Sequence, residues 1–171
     1  MSTPRRRARP GLTLLEATVA VLLVGLVLVA ALHVLAGTTG AARLASLRAT
    51  GLLLAEDLMA EVLATAYADP DQPPLFGAEA DESGPGRTRF DDVDDYAGWT
   101  SSPPRRRDGS AIDGLTEWSR SVTVEFVAPD DPTLVQARET GVKRITVIAS
   151  LDGKVMARLV ALRGDGDPPD D

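Results

Sequence analysis

Glu16 is the residue whose type and position most directly ask for an explanation. It stands at the mouth of an apolar run, residues 17–37, in which only Thr18 and His33 carry polar side chains and no acidic or basic chain of fixed charge occurs. A carboxylate at the edge of lipid is costly and marks a functional position by default. An ion pair there costs far less than either charge alone, and removing one partner strands the other. The chemistry on offer is therefore charge pairing; the bland alternative is a side chain that snorkels to the interface. Bond-making chemistry has little to work with. The chain has no Cys and one His. It shows neither a Gly-rich phosphate loop nor a Ser elbow, so no nucleophile–base pair can be assembled. We expect no enzyme activity, no cofactor and no small-molecule substrate. His33 lies about 24 Å along a helix from Ala17, near the far interface and without an acidic partner in sequence, and is not read as a site.

Two kinds of charged string remain. Asp91, Asp92, Asp94 and Asp95 fall in FDDVDDY. Hard oxygen donors at such spacing suit calcium, but the glycine and the spaced pattern of an EF-hand loop are missing. We read the string as an acidic solvated loop, packed on a sheet by Tyr96 and Trp99, whose rings tolerate a wet end. No metal site is assigned to it. Arg105-Arg106-Arg107 and Lys143-Arg144 stand in acidic surroundings and are read as internal ion pairs or a solvated face.

The elements that must carry these residues follow from pattern. A chain of 171 residues is one domain plus an anchor. About 20 apolar residues at ~1.5 Å each match the ~30 Å hydrocarbon core of a bilayer. The first eleven residues hold four of the 18 basic side chains and none of the 25 acidic ones, so everything after Gly11 is net acidic. Basic residues beside a membrane helix stay cytoplasmic, which sends the acidic part to the other side. That acidity excludes a nucleic-acid surface. Without Cys, redox chemistry gives no clue to compartment, and thiol catalysis and Cys-ligated zinc are excluded.

Beyond the apolar run, Leu44, Leu47, Gly51, Leu54, Leu58 and Val62 recur at helical steps. Helix is expected over residues 14–68, with kinking or melting around Gly37 to Gly40, where each glycine costs up to about 1 kcal/mol. Pro70 is expected to end it. Residues 70–116, rich in Pro, Gly and acids, read as loop with a short strand near Thr88 to Phe90. Residues 117–127 alternate, with Trp118, Val122, Val124 and Phe126 in phase and Arg120 interrupting the same face. Residues 143–151 and 154–162 alternate again around Asp152-Gly153. A plain two-residue turn would pair Val147 with Arg158; a bulge would pair it with Leu159 and keep both apolar sets together, and is preferred. The expected fold is α+β, a long helix packed on a small antiparallel sheet over residues 117–163. Residues 164–171 read as a solvated tail.

A basic leader, then Gly11-Leu12-Thr13-Leu14-Leu15-Glu16, then an apolar helix resembles the processing segment of type IV pilins and type II secretion pseudopilins. The resemblance rests on roughly the first 26 residues. It implies cleavage after Gly11 by a prepilin peptidase, removing residues 1–11, and N-methylation of Leu12. It implies that Glu16 neutralises the amino terminus of a neighbouring subunit, that residues 12–37 form the membrane helix, and that residues 38–69 continue it. Leu12 replaces the family's usual Phe. His33 stands where major subunits carry a kinking Pro, and the C-terminal Cys pair common in pilins is missing. The resemblance thus implies a minor pseudopilin of a secretion pseudopilus, or alternatively a minor pilin of a type IV pilus. Its partners would be the inner membrane, the peptidase and other subunits, with the C-terminal domain periplasmic. Some pseudopilins carry a calcium-binding loop, which keeps the aspartate string in view. A secreted or membrane-anchored periplasmic binding module behind an ordinary signal sequence is the alternative of another class; Val34-Leu35-Ala36 offers it a cleavage site.

Overall fold

The computed structural model describes residues 13–69, 76–79, 82, 84 and 86–166, without the side chains of 36–39. The leader, Gly11, Leu12, Pro70 and residues 167–171 lie outside the described residues, and so do the readings made for them. One helix, α1, runs Leu14–Leu63, and the chain forms two compact units, Met1–Ala45 and Ser46–Asp171. In the first unit every large apolar side chain from Leu14 to Leu35 is at least half exposed. The backbone stays helical across Gly37 to Gly40, where melting was expected. Two weak residues cost less than the hydrogen bonds their neighbours would forfeit by breaking there.

In the second unit the helical stripe meets a sheet. Leu54, Ala55, Leu58, Met59 and Val62 are buried, each within 7% exposure. They face four antiparallel strands in the order β1 (Thr100–Ser101), β2 (Trp118–Phe126), β3 (Val142–Leu151) and β4 (Lys154–Gly164). Cross-strand pairs Val122–Val147 and Val124–Ile145 line the inner face. The expected bulge is present. Val147 pairs with Leu159, Ala149 with Ala157 and Ser150 with Val155, so Met156 is the extra residue that keeps both apolar sets on one face. Asp152, at φ 49°, and Gly153, at φ 74°, make the turn.

At Gly51 the helix backbone comes close to the sheet. A Cβ built there would lie 2.7 Å from Met156 Cβ and 3.3 Å from the Trp118 ring. A glycine that looks like a flaw in the helix is therefore a packing requirement.

The helix ends at Leu63, earlier than Pro70 would require. The Thr65 hydroxyl donates to the Val62 carbonyl at 2.8 Å. Ala66 then leaves the helix for a parallel bridge: its N–H donates to Asp91 O at 2.9 Å, and Val93 N–H donates to its carbonyl at 3.0 Å. The backbone groups are satisfied by the aspartate string rather than by another helical turn. No strand forms at Thr88 to Phe90, where Phe90 N–H closes a turn on Arg87 O. The strand in this region is β1, ten residues on, held by Val122 N–H donating to Trp99 O at 2.9 Å.

Arg120 does point into the apolar face and is 1% exposed. Its guanidinium donates to Asp57 at 2.8 Å, to the Leu54 carbonyl at 3.2 Å and to Arg105 O at 2.5 Å. Arg87, fully buried, makes a two-pronged pair with Glu61 at 2.8 and 2.9 Å and lies 4.2 Å from the Trp99 ring centroid. The Tyr96 hydroxyl adds a third bond to Glu61 at 3.1 Å. Arg105 and Arg107 donate to the carbonyls of Gly109, Arg87 and Phe90, so this basic run is largely spent on internal structure.

Two stability measurements check this packing. Gly51→Ala should gain up to about 1 kcal/mol of helix propensity and lose about 1–3 kcal/mol to overpacking. Denaturant unfolding of the detergent-solubilised chain should show net loss, and a stabilised variant would refute the close approach. Glu61→Ala strands a buried guanidinium and should cost about 3–5 kcal/mol. Glu125→Ala, which breaks only the half-exposed pair with Arg144 at 2.7 Å, should cost no more than about 1 kcal/mol.

Candidate functional site

The first candidate is the opening of α1. Thr13 precedes the helix, and its Oγ1 accepts the Glu16 N–H at 3.3 Å, while its carbonyl accepts the Ala17 N–H at 3.1 Å. Thr13-Leu14-Leu15-Glu16 thus has the spacing of a capping box, a signal present in the sequence but not drawn from it above. Glu16 is exposed in the first turn, where a negative charge suits the helix dipole. The Thr18 hydroxyl is satisfied by the Leu15 carbonyl at 2.8 Å, so it does not interrupt the apolar surface. Leu14, Ala17, Thr18, Val21 and Leu22 form one continuous strip along the helix beside that carboxylate. His33 is exposed, and nothing in its surroundings makes it a site. α1 is long and apolar enough to cross a membrane.

The second candidate is the aspartate string, and here the solvated-loop reading is corrected. Asp92, Asp94 and Asp95 are each within 4% exposure. Asp92 Oδ1 accepts the N–H groups of Asp94 at 2.7 Å and Asp95 at 3.1 Å. Asp95 Oδ2 accepts those of Asp91 at 2.9 Å and Asp92 at 3.1 Å. These reciprocal bonds wind the chain into a short 3₁₀ turn at Asp94–Tyr96. Asp94 is paired with Lys143, itself 1% exposed. Tyr96, fully buried, and Phe90 meet edge to face at 5.0 Å and pin the turn to the core, as expected of Tyr96. One oxygen on each of Asp92, Asp94 and Asp95 is engaged with backbone N–H groups or an ammonium. Glu79, Glu82 and Asp95 bring one carboxylate oxygen each within 4.8 Å, a donor set of the type that hard cations accept.

Packing these acids away from water has an electrostatic consequence. Burial, followed by carboxylate hydrogen bonding with Glu79, pushes Glu82 up to about 8. Burial, followed by the charges of Asp94 and Asp95, pushes Asp92 up to about 7. Burial also raises Asp95, against the backbone bonds that favour its charged form. These groups hold protons more tightly folded than unfolded. Their contribution is therefore fullest below the ordinary carboxylate range and is lost as pH rises through about 7 and about 8. The melting temperature of the solubilised chain should fall between about pH 6 and about pH 8, and Glu82→Gln should flatten that fall. A wild-type melting temperature that rises across this window would contradict the buried arrangement.

Among the described residues no Ser or Thr hydroxyl lies beside a histidine, and the one His sits on the apolar helix. The arrangement offers an apolar helical surface led by a carboxylate, and a rigid acidic loop clamped to a sheet. No family model matches the chain, and neither a curated protein nor a solved structure matches it.

Proposed function

We propose that the chain is a structural subunit of the type IV pilin-like class, a minor pseudopilin of a type II secretion pseudopilus. It would be processed after Gly11 and assembled through its N-terminal helix. The observation that carries this reading is the surface of α1. Every large apolar side chain from Leu14 to Leu35 is exposed, with Glu16 as the one carboxylate at its head. Such a surface needs lipid, other apolar helices, or both in succession. In lipid the first is simple solvation and the second is close helix packing, where side-chain fit rather than water exclusion drives association.

Glu16 has a defined part in this scheme. A subunit leaving the bilayer carries its carboxylate past the amino terminus of a neighbour already in the fibre. Pairing the two charges fixes axial register, because a misregistered subunit leaves both unpaired in a low-dielectric environment. The four arginines of the leader hold the N-terminus cytoplasmic and place the sheet domain in the periplasm. The reading is also consistent with the sheet domain, an α+β body in which the helix packs on four antiparallel strands.

The test is the N-terminal peptide of membrane-extracted protein made together with its prepilin peptidase. A chain beginning at N-methylated Leu12 is the expected result. A start at Gly37 would mean a secreted domain, and an intact leader a simple anchor; either overturns the assembly scheme. Glu16→Ala should leave insertion and cleavage intact and reduce fibre incorporation at least ten-fold, about 1.4 kcal/mol of lost pairing. Normal incorporation would remove Glu16 from the mechanism.

A further inference from the structure

The buried pair Lys143–Asp94 has a feature that an ordinary ion pair does not need. Both side chains are almost completely enclosed, 1% and 5% exposed. Lys143 Nζ donates to Asp94 Oδ1 and to the Tyr67 carbonyl. The Tyr67 and Phe126 ring centroids stand 4.2 and 5.9 Å from the same nitrogen. A primary amine is thus held against a carboxyl group, walled by aromatic rings. On one side the carboxyl is fixed by the 3₁₀ turn, whose first amide is held by Asp92. On the other the amine is fixed by β3.

We propose that Lys143 and Asp94 are the two halves of an intramolecular isopeptide bond that forms once the domain has folded. Transfer of one proton from the ammonium to the carboxylate converts the ion pair into a neutral amine beside a neutral acid. In a buried site that exchange removes two charges that are each costly to take out of water. The nitrogen lone pair then bonds to Asp94 Cγ. The Cγ–hydroxyl bond breaks with its electron pair on oxygen, and the hydroxyl leaves with a proton from nitrogen as water. One amide forms and one water is released, with no oxidant, reductant or activating group consumed. Preorganisation supplies the drive. Reacting groups locked together behave as if present at about 10⁵–10⁸ M, whereas the same amine and acid free in water do not condense. Asp92 is a positioning residue, since its carboxyl holds the Asp94 backbone in place.

The bond would tie the long connection before β2 to the sheet in a chain that has no cysteine for a disulfide. It is independent of the fibre reading, because folding alone brings the pair together.

The experiment is peptide mapping of the full chain, purified in detergent, denatured and digested with trypsin. A free Lys143 gives peptide 139–143 and, separately, peptide 90–105. A bonded Lys143 resists cleavage, so 90–105 should appear joined to 139–144, lighter by one water than the two peptides summed. Lys143→Arg keeps the charge but cannot form the amide under these conditions. It should abolish the joined species while circular dichroism shows a folded domain. Recovery of 139–143 and 90–105 as free peptides from folded wild-type protein overturns the proposal. So does a joined species that survives Lys143→Arg.

Discussion

A cation that points into an apolar core must be met there by oxygen, and this domain depends on that constraint three times. Arg120 projects from β2, Lys143 from β3 and Arg87 from the connecting loop, and all three are within 1% exposure. Arg120 is answered from the helix and the Arg105 carbonyl, Arg87 from Glu61 of the same helix, and Lys143 from the aspartate turn. Replacing such pairs with apolar side chains is often neutral or stabilising. Their evident contribution here is geometric. An apolar side chain accepts many neighbours, whereas a guanidinium accepts only the arrangement that satisfies it.

This accounts for the order of residues 86–116, in a stretch whose composition argues for disorder. Residues 70–116 hold little that would drive hydrophobic collapse, and the whole chain has three Phe, two Trp and two Tyr. Phe90, Val93 and Tyr96 are buried from this stretch, which by area alone stabilises by about 1.5–3 kcal/mol per side chain. That is small against about 1–2 kcal/mol for each backbone residue ordered. Anchoring is therefore shared with polar contacts, and the raised pKa of Asp92 and Glu82 follows from the same burial. Acids brought this close do not all ionise.

The sequence was most legible where periodicity decided the outcome. The stripe from Leu47 to Val62, the three long strands and the bulge at Met156 follow from the requirement that apolar sets share a face. It was least legible where long-range partners decided. Nothing local says that Ala66 will bond to Asp91 and Val93 instead of extending the helix to Pro70. Nothing local says that FDDVDDY will be buried, because its charges read as solvated until Lys143, far along the chain, is placed beside Asp94. Arg120 was visible as a violation of its strand pattern, and such a violation is the best available sign of a buried clamp. For the N-terminal unit the long apolar helix follows from residue types, and the structure adds the Thr13 cap and helical backbone across Gly37 to Gly40.

That cap sharpens the question of what Glu16 is for. An N-terminal cap is worth about 0.5–2 kcal/mol, and a carboxylate near a helix N-terminus adds about 0.3–1 kcal/mol. Both are available to a helix whose first turn lies in water or at an interface, and there the dipole term alone justifies an acid at this position. A carboxylate carried to bilayer depth costs about 2.5–3.5 kcal/mol on insertion scales, more than the dipole term returns. The cap itself is made by the Thr13 hydroxyl and the Glu16 backbone amide, not by the carboxylate. A Gln at position 16 would keep that bond and lose only the charge. The backbone bond of Glu16 and its negative charge are therefore separable, and under the proposed fibre reading only pairing with a neighbour has any use for the charge at depth.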